Sequence, residues 1–195
     1  MPKAGLWLIF ITMIVFTLVA CKSQDISNRT DWVVEPFSVV NQDEQALALG
    51  DLKGKVWVAN FIFTNCEDVC LPMTSNMSQL QTALKEKKVE DVQLISFSID
   101  PTVDSPAVLK AFGDSFKADY HNWSFVTGYD QAYIEQFAQN NFKTLVKKPE
   151  TGDQVIHGTA FYLIDEKGIV VQSYNGLDDF PLDEIIKHIN ILQNE

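Results

Sequence analysis

A strongly apolar, strand-like run, Val56-Trp57-Val58-Ala59-Asn60-Phe61-Ile62-Phe63, ends just before a pair of thiols, Cys66 and Cys70, and the stretch Met73 to Lys88 beyond them carries a helical pattern. The chain therefore turns from a strand into a helix at the point where two cysteines sit. Their spacing puts both thiols on one helical face if the first turn forms early. In that geometry they can close a disulfide or hold one soft metal ion. A helix N-terminus also favours a thiolate, the form that attacks disulfides and binds metals.

The third cysteine belongs to a different segment. Residues 1–20 read as an export signal: Lys3 supplies the positive end, Ala4 to Ala20 carries no charge, and a small residue precedes a cysteine in Leu18-Val19-Ala20-Cys21. This ending resembles the lipobox of bacterial lipoproteins, which implies that Cys21 is lipidated and opens the mature chain. The competing reading is an uncleaved membrane anchor, for which the run is slightly short of the about 20 apolar residues that a span needs. Either way the domain is held through the membrane at its extracytoplasmic face. Lys22 to Asp31 is polar and without an apolar period. Residues 21–31 are thus expected to be a lipid-anchored tether and residues 32–195 one domain.

Composition narrows the partners. The net charge is −11, and no basic cluster appears anywhere. Nucleic-acid binding, whose affinity rests on phosphate neutralisation, is excluded. An acidic surface also gains nothing from anionic lipid, so the anchor must do the holding. With Cys21 assigned to lipid, Cys66 and Cys70 are an even pair in an exported domain, and a static disulfide is the plainest alternative to a functional site.

Along the domain, Val33 to Val40 reads as a strand, with Ala46 to Leu49 able to pair back across Asn41-Gln42-Asp43-Glu44. The strand Val56 to Phe63 leads to the cysteines and the first helix, in which Met73, Met77, Leu80 and Leu84 recur at core spacing. A second buried strand, Val92 to Ile99, is broken by Asp100-Pro101, and a helix follows with Ser105 as N-cap and Pro106 at its first position. Trp123 to Thr127 is a short strand and Gln131 to Asn140 a helix. Phe142 to Val155 reads as a polar surface excursion, Thr159 to Ile164 and Ile169 to Tyr174 as a hairpin, and Pro181 to Leu192 as the last helix. The order predicts an α/β fold: a thioredoxin-like mixed sheet flanked by helices, with an N-terminal β extension.

In such a sheet the loop before the hairpin lies beside the cysteine turn, and His157 stands there, in Val155-Ile156-His157-Gly158-Thr159. Two thiolates and an imidazole form a soft three-ligand set that suits copper. His121, in a loop, and His188, on the last helix, are expected to be solvated or half-buried, and neither is given a metal role. Met73 and Met77 could serve as thioether ligands, but their helical spacing assigns them to the core.

These residues carry a resemblance to the Sco/SenC family. Its marks are Asn60-Phe61-Ile62-Phe63-Thr64-Asn65-Cys66, the three-residue spacer to Cys70, Pro72-Met73, Ser96-Phe97-Ser98-Ile99-Asp100-Pro101, Thr127-Gly128 and His157. The tethered form is similar to the Sco lipoproteins of Gram-positive bacteria. Many members place a proline after each cysteine; here Glu67 and Leu71 stand there, and Glu67 adds a negative charge that favours a bound cation.

The resemblance implies a copper-binding metallochaperone and not an enzyme. Cys66, Cys70 and His157 would hold copper as Cu(I) or Cu(II), and the cargo would pass to the dinuclear copper centre of cytochrome c oxidase subunit II. The same cysteines would form a redox disulfide that blocks loading. Asp100 matches an acidic position of the family; it either supports the metal ligands or ends its strand together with Pro101. The alternative function is a thiol-disulfide oxidoreductase acting on the copper-site cysteines of the oxidase or in redox signalling, with Cys66 attacking. Other copper chaperones or oxidoreductases are the further partners implied.

Overall fold

The computed structural model describes residues 25–195. The expected signal at 1–20, Cys21 and the first tether residues lie outside that range. Ten strands and four α-helices follow one another along the described chain. The strands are β1 (Trp32–Val33), β2 (Ser38–Asn41), β3 (Ala46–Ala48), β4 (Val56–Ile62), β5 (Val92–Ser98), β6 (Trp123–Thr127), β7 (Val146–Lys147), β8 (Ile156–His157), β9 (Ala160–Ile164) and β10 (Ile169–Asn175). The helices are α1 (Cys70–Glu86), α2 (Pro106–Ser115), α3 (Gln131–Phe142) and α4 (Leu182–Leu192).

Eight strands form one mixed sheet in the order β1-β10-β9-β4-β5-β6-β2-β3. At its centre β4 pairs parallel with β5 and antiparallel with β9. Every residue of β4 is buried, as its apolar run requires, so both faces of the sheet must be covered. One face is closed by α3: Phe61 and Phe97 stack at 5.6 Å between ring centroids, and Phe142 meets Phe61 edge-on at 5.2 Å. Phe37 and Phe137 complete this aromatic layer. On the other face α1 buries Met73, Met77, Leu80 and Leu84, α2 lays Phe112 against Phe125, and the segment leading to α4 packs Phe180 on Phe161. Met73 and Met77 are core residues, as their spacing requires.

Local signals set most boundaries. Ser105 caps α2 by accepting the Val108 N–H, with Pro106 behind it. Asp130 caps α3 through the Tyr133 N–H. The stretch Val33 to Val40 is not one strand. Pro36, which lacks an N–H and fixes its own φ, divides it. β1 then pairs with β10 at one edge of the sheet, while β2 pairs with β3 and β6 at the other.

Three other expectations change. The tether stretch is docked from its far end: Ile26 is buried, the Thr30 N–H donates to the Val171 carbonyl at 2.9 Å, and Arg29 reaches Glu195 at 2.6 Å and Asp165 at 3.4 Å. One apolar residue and main-chain pairing leave no periodic trace. The excursion 142–155 is partly structural, since Phe142, Val146 and Val155 are buried and β7 pairs with β8. His188 is buried too, its Nδ1 2.8 Å from the Tyr174 hydroxyl, which suits a neutral imidazole accepting that O–H. No helix among the described residues is long and apolar enough to cross a membrane.

Candidate metal centre

The cysteine turn leaves the C-terminal end of β4, and α1 begins at Cys70 itself. Cys66 lies one turn earlier, outside the helix. Its sulfur accepts the Cys70 N–H at 3.3 Å, satisfying one of the donors that a helix leaves open at its start. Cys66 is partly exposed and Cys70 fully buried; both are free thiols.

His157 arrives from β8, whose pairing with β7 sets Val146 opposite it. Its Nδ1 lies 2.8 Å from the Gly158 carbonyl. A carbonyl can only accept, so the proton sits on Nδ1, and the Nε2 lone pair is free. That lone pair faces the Cys70 sulfur at 3.4 Å. The Phe63 ring meets the imidazole edge-on at 5.8 Å and closes the apolar side. Gly158 packs closely beside it: a Cβ there would meet the Thr144 hydroxyl, which would have to turn away. The ligand atoms of Cys66, Cys70 and His157 all lie within 4.8 Å of one another, close enough to converge on one ion.

Burial pushes the Cys70 thiol far up, helped by its contact with Cys66 and by the charge of Asp104. The N-terminal helix position does not overcome that burial. Burial also lowers His157, with the Gly158 carbonyl pulling the other way. The apo site therefore holds a protonated Cys70 beside a neutral imidazole. A cation that displaces the thiol proton offsets the thiolate charge that burial disfavours, and two sulfurs with an imidazole form a donor set that fits a soft metal ion and copper in particular.

Asp100 is not one of the three ligands. Its buried carboxylate accepts from Lys148 Nζ at 2.6 Å and from the Thr102 hydroxyl at 2.7 Å, and its N–H donates to Ser98 Oγ at the end of β5. His121 is exposed, as expected for a loop residue.

Two residues that support the site were not singled out in the sequence. Asp104 is fully buried and accepts from the Thr64 and Ser98 hydroxyls, each at 2.6 Å. Burial raises its pKa, and those two bonds hold it back. It thus pins the residue two positions before Cys66 to the end of β5. Gln154, three residues before His157, bonds the main chain on both sides of Cys66. Each is a lone polar residue in a loop, distant in sequence from its partners.

Comparison with known proteins follows the same lines. The SCO1/SenC family profile matches residues 26–193. The SCO1 protein homolog of Bacillus subtilis (strain 168) is 48% identical over 177 residues, 91% of each chain. The solved SCO1/SenC family lipoprotein of Bacillus anthracis str. Ames superposes with a TM-score of 0.83 at 49% identity, covering 86% of this chain and 99% of its own. BsSco, a protein with a disulfide switch and a member of the Sco family of cytochrome c oxidase assembly proteins, gives a TM-score of 0.81 at 47% identity, over 87% of this chain and 98% of its own. The copper-bound structure of Bradyrhizobium japonicum ScoI gives 0.68 at 27% identity, over 82% and 99%.

Proposed function

Since the chain belongs to the SCO1/SenC family, whose members include copper-bound proteins and cytochrome c oxidase assembly proteins, we propose that it is a membrane-tethered metallochaperone that hands copper to the dinuclear copper centre of cytochrome c oxidase subunit II. The observation that carries this reading is the convergence of Cys66, Cys70 and His157 within 4.8 Å, with the Nε2 lone pair free. Copper is the cargo. Three ligands hold it and leave room for a partner ligand to enter. Transfer is then an exchange of ligands, in which incoming thiolate or imidazole replaces the protein's donors one at a time, without chemical turnover.

The same thiols favour a second activity. Cys66 is partly exposed and Cys70 buried behind it, an attacking and resolving order suited to disulfide exchange. This reductase reading does not need His157. The substitution His157→Ala separates the two: copper affinity should fall strongly and oxidase maturation should fail in copper-limited cells, while disulfide exchange persists. Full oxidase activity of that variant at low copper would reject the chaperone and promote the reductase. Tethering through lipidated Cys21 belongs to the same proposal and draws support from the lipoprotein nature of the Bacillus anthracis relative.

A further inference from the structure

Cys66 and His157 lie on segments that meet only in the fold, and among the described residues the side chain that bonds the main chain on both sides of Cys66 is Gln154. The Gln154 Nε2 donates to the Asn65 carbonyl at 3.0 Å, and its Oε1 accepts the Glu67 N–H at 3.3 Å. The amide thus grips the main chain immediately before and immediately after Cys66. This orientation alone satisfies both bonds, since the flipped amide would set donor against donor and acceptor against acceptor. Asp153 adds a weaker bond, accepting from Asn65 Nδ2 at 3.3 Å. Two residues past Gln154 the chain enters β8, which delivers His157. Below the turn, Asp104 pins Thr64. Cys66 is therefore fixed from the core by Asp104 and from the ligand-bearing loop by Gln154.

We propose that Gln154 is a positioning residue of the metal centre: it couples the Cys66 turn to the His157 segment, so that the two are held in register for copper and Cys66 is partly covered when copper is absent. This inference rests on the copper reading for its first half only. A cysteine outside the helix and partly exposed has no regular structure of its own to fix it, and a bidentate amide supplies what the helix gives Cys70. A glutamate here would keep the acceptor for the Glu67 N–H but turn a second acceptor toward the Asn65 carbonyl.

The test compares Gln154→Ala, Gln154→Glu and His157→Ala in the reduced protein. Copper titration reads the register, and the rate at which iodoacetamide alkylates Cys66 in the metal-free protein reads the cover. Gln154→Ala should weaken copper about tenfold, as losses of supporting bonds around metal ligands do, and should speed Cys66 alkylation about fivefold, the worth of a hydrogen bond or so. Gln154→Glu should fall between alanine and wild type in both. His157→Ala should lose copper while keeping the wild-type alkylation rate. A wild-type alkylation rate in Gln154→Ala overturns the inference, and so does wild-type copper affinity in that variant. If His157→Ala keeps full copper affinity, the ligand set fails instead, and the alkylation rates still decide the role of Gln154.

Discussion

His157 Nε2 stands 3.4 Å from Cys70 Sγ across 87 residues of chain, with the imidazole proton held on the other nitrogen by the Gly158 carbonyl. The tautomer is fixed before any metal arrives. The buried thiol is thereby offered an acceptor for its proton, and an incoming ion a ready lone pair.

Mild oxidation should join Cys66 to Cys70 and block copper uptake, with recovery on reduction. The two sulfurs already lie within 4.8 Å, so a side-chain rotation and a small shift of the turn bring them to bonding distance. Mass spectrometry of the oxidised protein should show a loss of two hydrogens on the peptides containing both cysteines. Copper uptake unchanged in the oxidised protein would contradict the ligand assignment.

Asp104→Ala should destabilise the domain by about 2 kcal/mol, because it strips the partners from the Thr64 and Ser98 hydroxyls in a buried place. Asp104→Asn, which keeps the shape and one acceptor, should cost less. Urea unfolding of the metal-free protein measures both. Copper affinity should fall in the same order, since Thr64 lies two residues from Cys66.

Stability should decline as pH falls through the histidine range. Burial holds His188 below its ordinary value, with Lys187 adding to that and Glu184 opposing it. The unfolded chain then takes up the proton first, so the contribution is complete above about pH 6.5, the ordinary histidine value, and is lost as pH falls from there toward the depressed folded value. His157 is shifted the same way and adds to the slope. Thermal unfolding between pH 7.5 and 5.5 should show a smaller drop for His188→Gln than for wild type. An equal drop would mean that His188 takes up its proton equally readily in the folded and unfolded chains, so that burial does not shift it.

Cys21→Ser should release the protein from the membrane or leave its signal unprocessed. The small residue before Cys21 and the uncharged run before it motivate this expectation. Fractionation and the mass of the mature N-terminus check it. Normal processing with normal membrane retention would favour a plain membrane anchor.

The cysteines were legible because chain punctuation marks them: an apolar run stops and two thiols follow at one turn's spacing. His157 was legible only through the family resemblance, since a lone imidazole before a strand is more often a satisfied histidine at a sheet edge. The supporting residues were not legible, because each acts on a group far away in sequence: Asp104 reaches back 40 residues to the Thr64 hydroxyl, and Gln154 reaches 89 residues to the Asn65 carbonyl. Pro36 was in plain view, yet the two halves of Val33 to Val40 go to opposite edges of the sheet, a choice made by tertiary pairing. His188 sits among Ile185, Ile186, Ile189 and Leu192 on the buried side of α4. Its burial depends on the Tyr174 hydroxyl, which no helical period reveals.

The docked N-terminal stretch has a directional consequence. Arg29 is fastened to Asp165, in the turn after β9. Because β9 runs against β4, with Ile164 beside Trp57, that turn lies at the end of the sheet where β4 enters, while the cysteines lie where β4 leaves. The β4 strand has seven residues, so the two poles stand about 20 Å apart at about 3.3 Å per residue. A chain moored through Cys21 would then carry its thiols on the side turned away from the bilayer. A graft that moved the mooring to the C-terminal end of β4 would point the same site at the lipid.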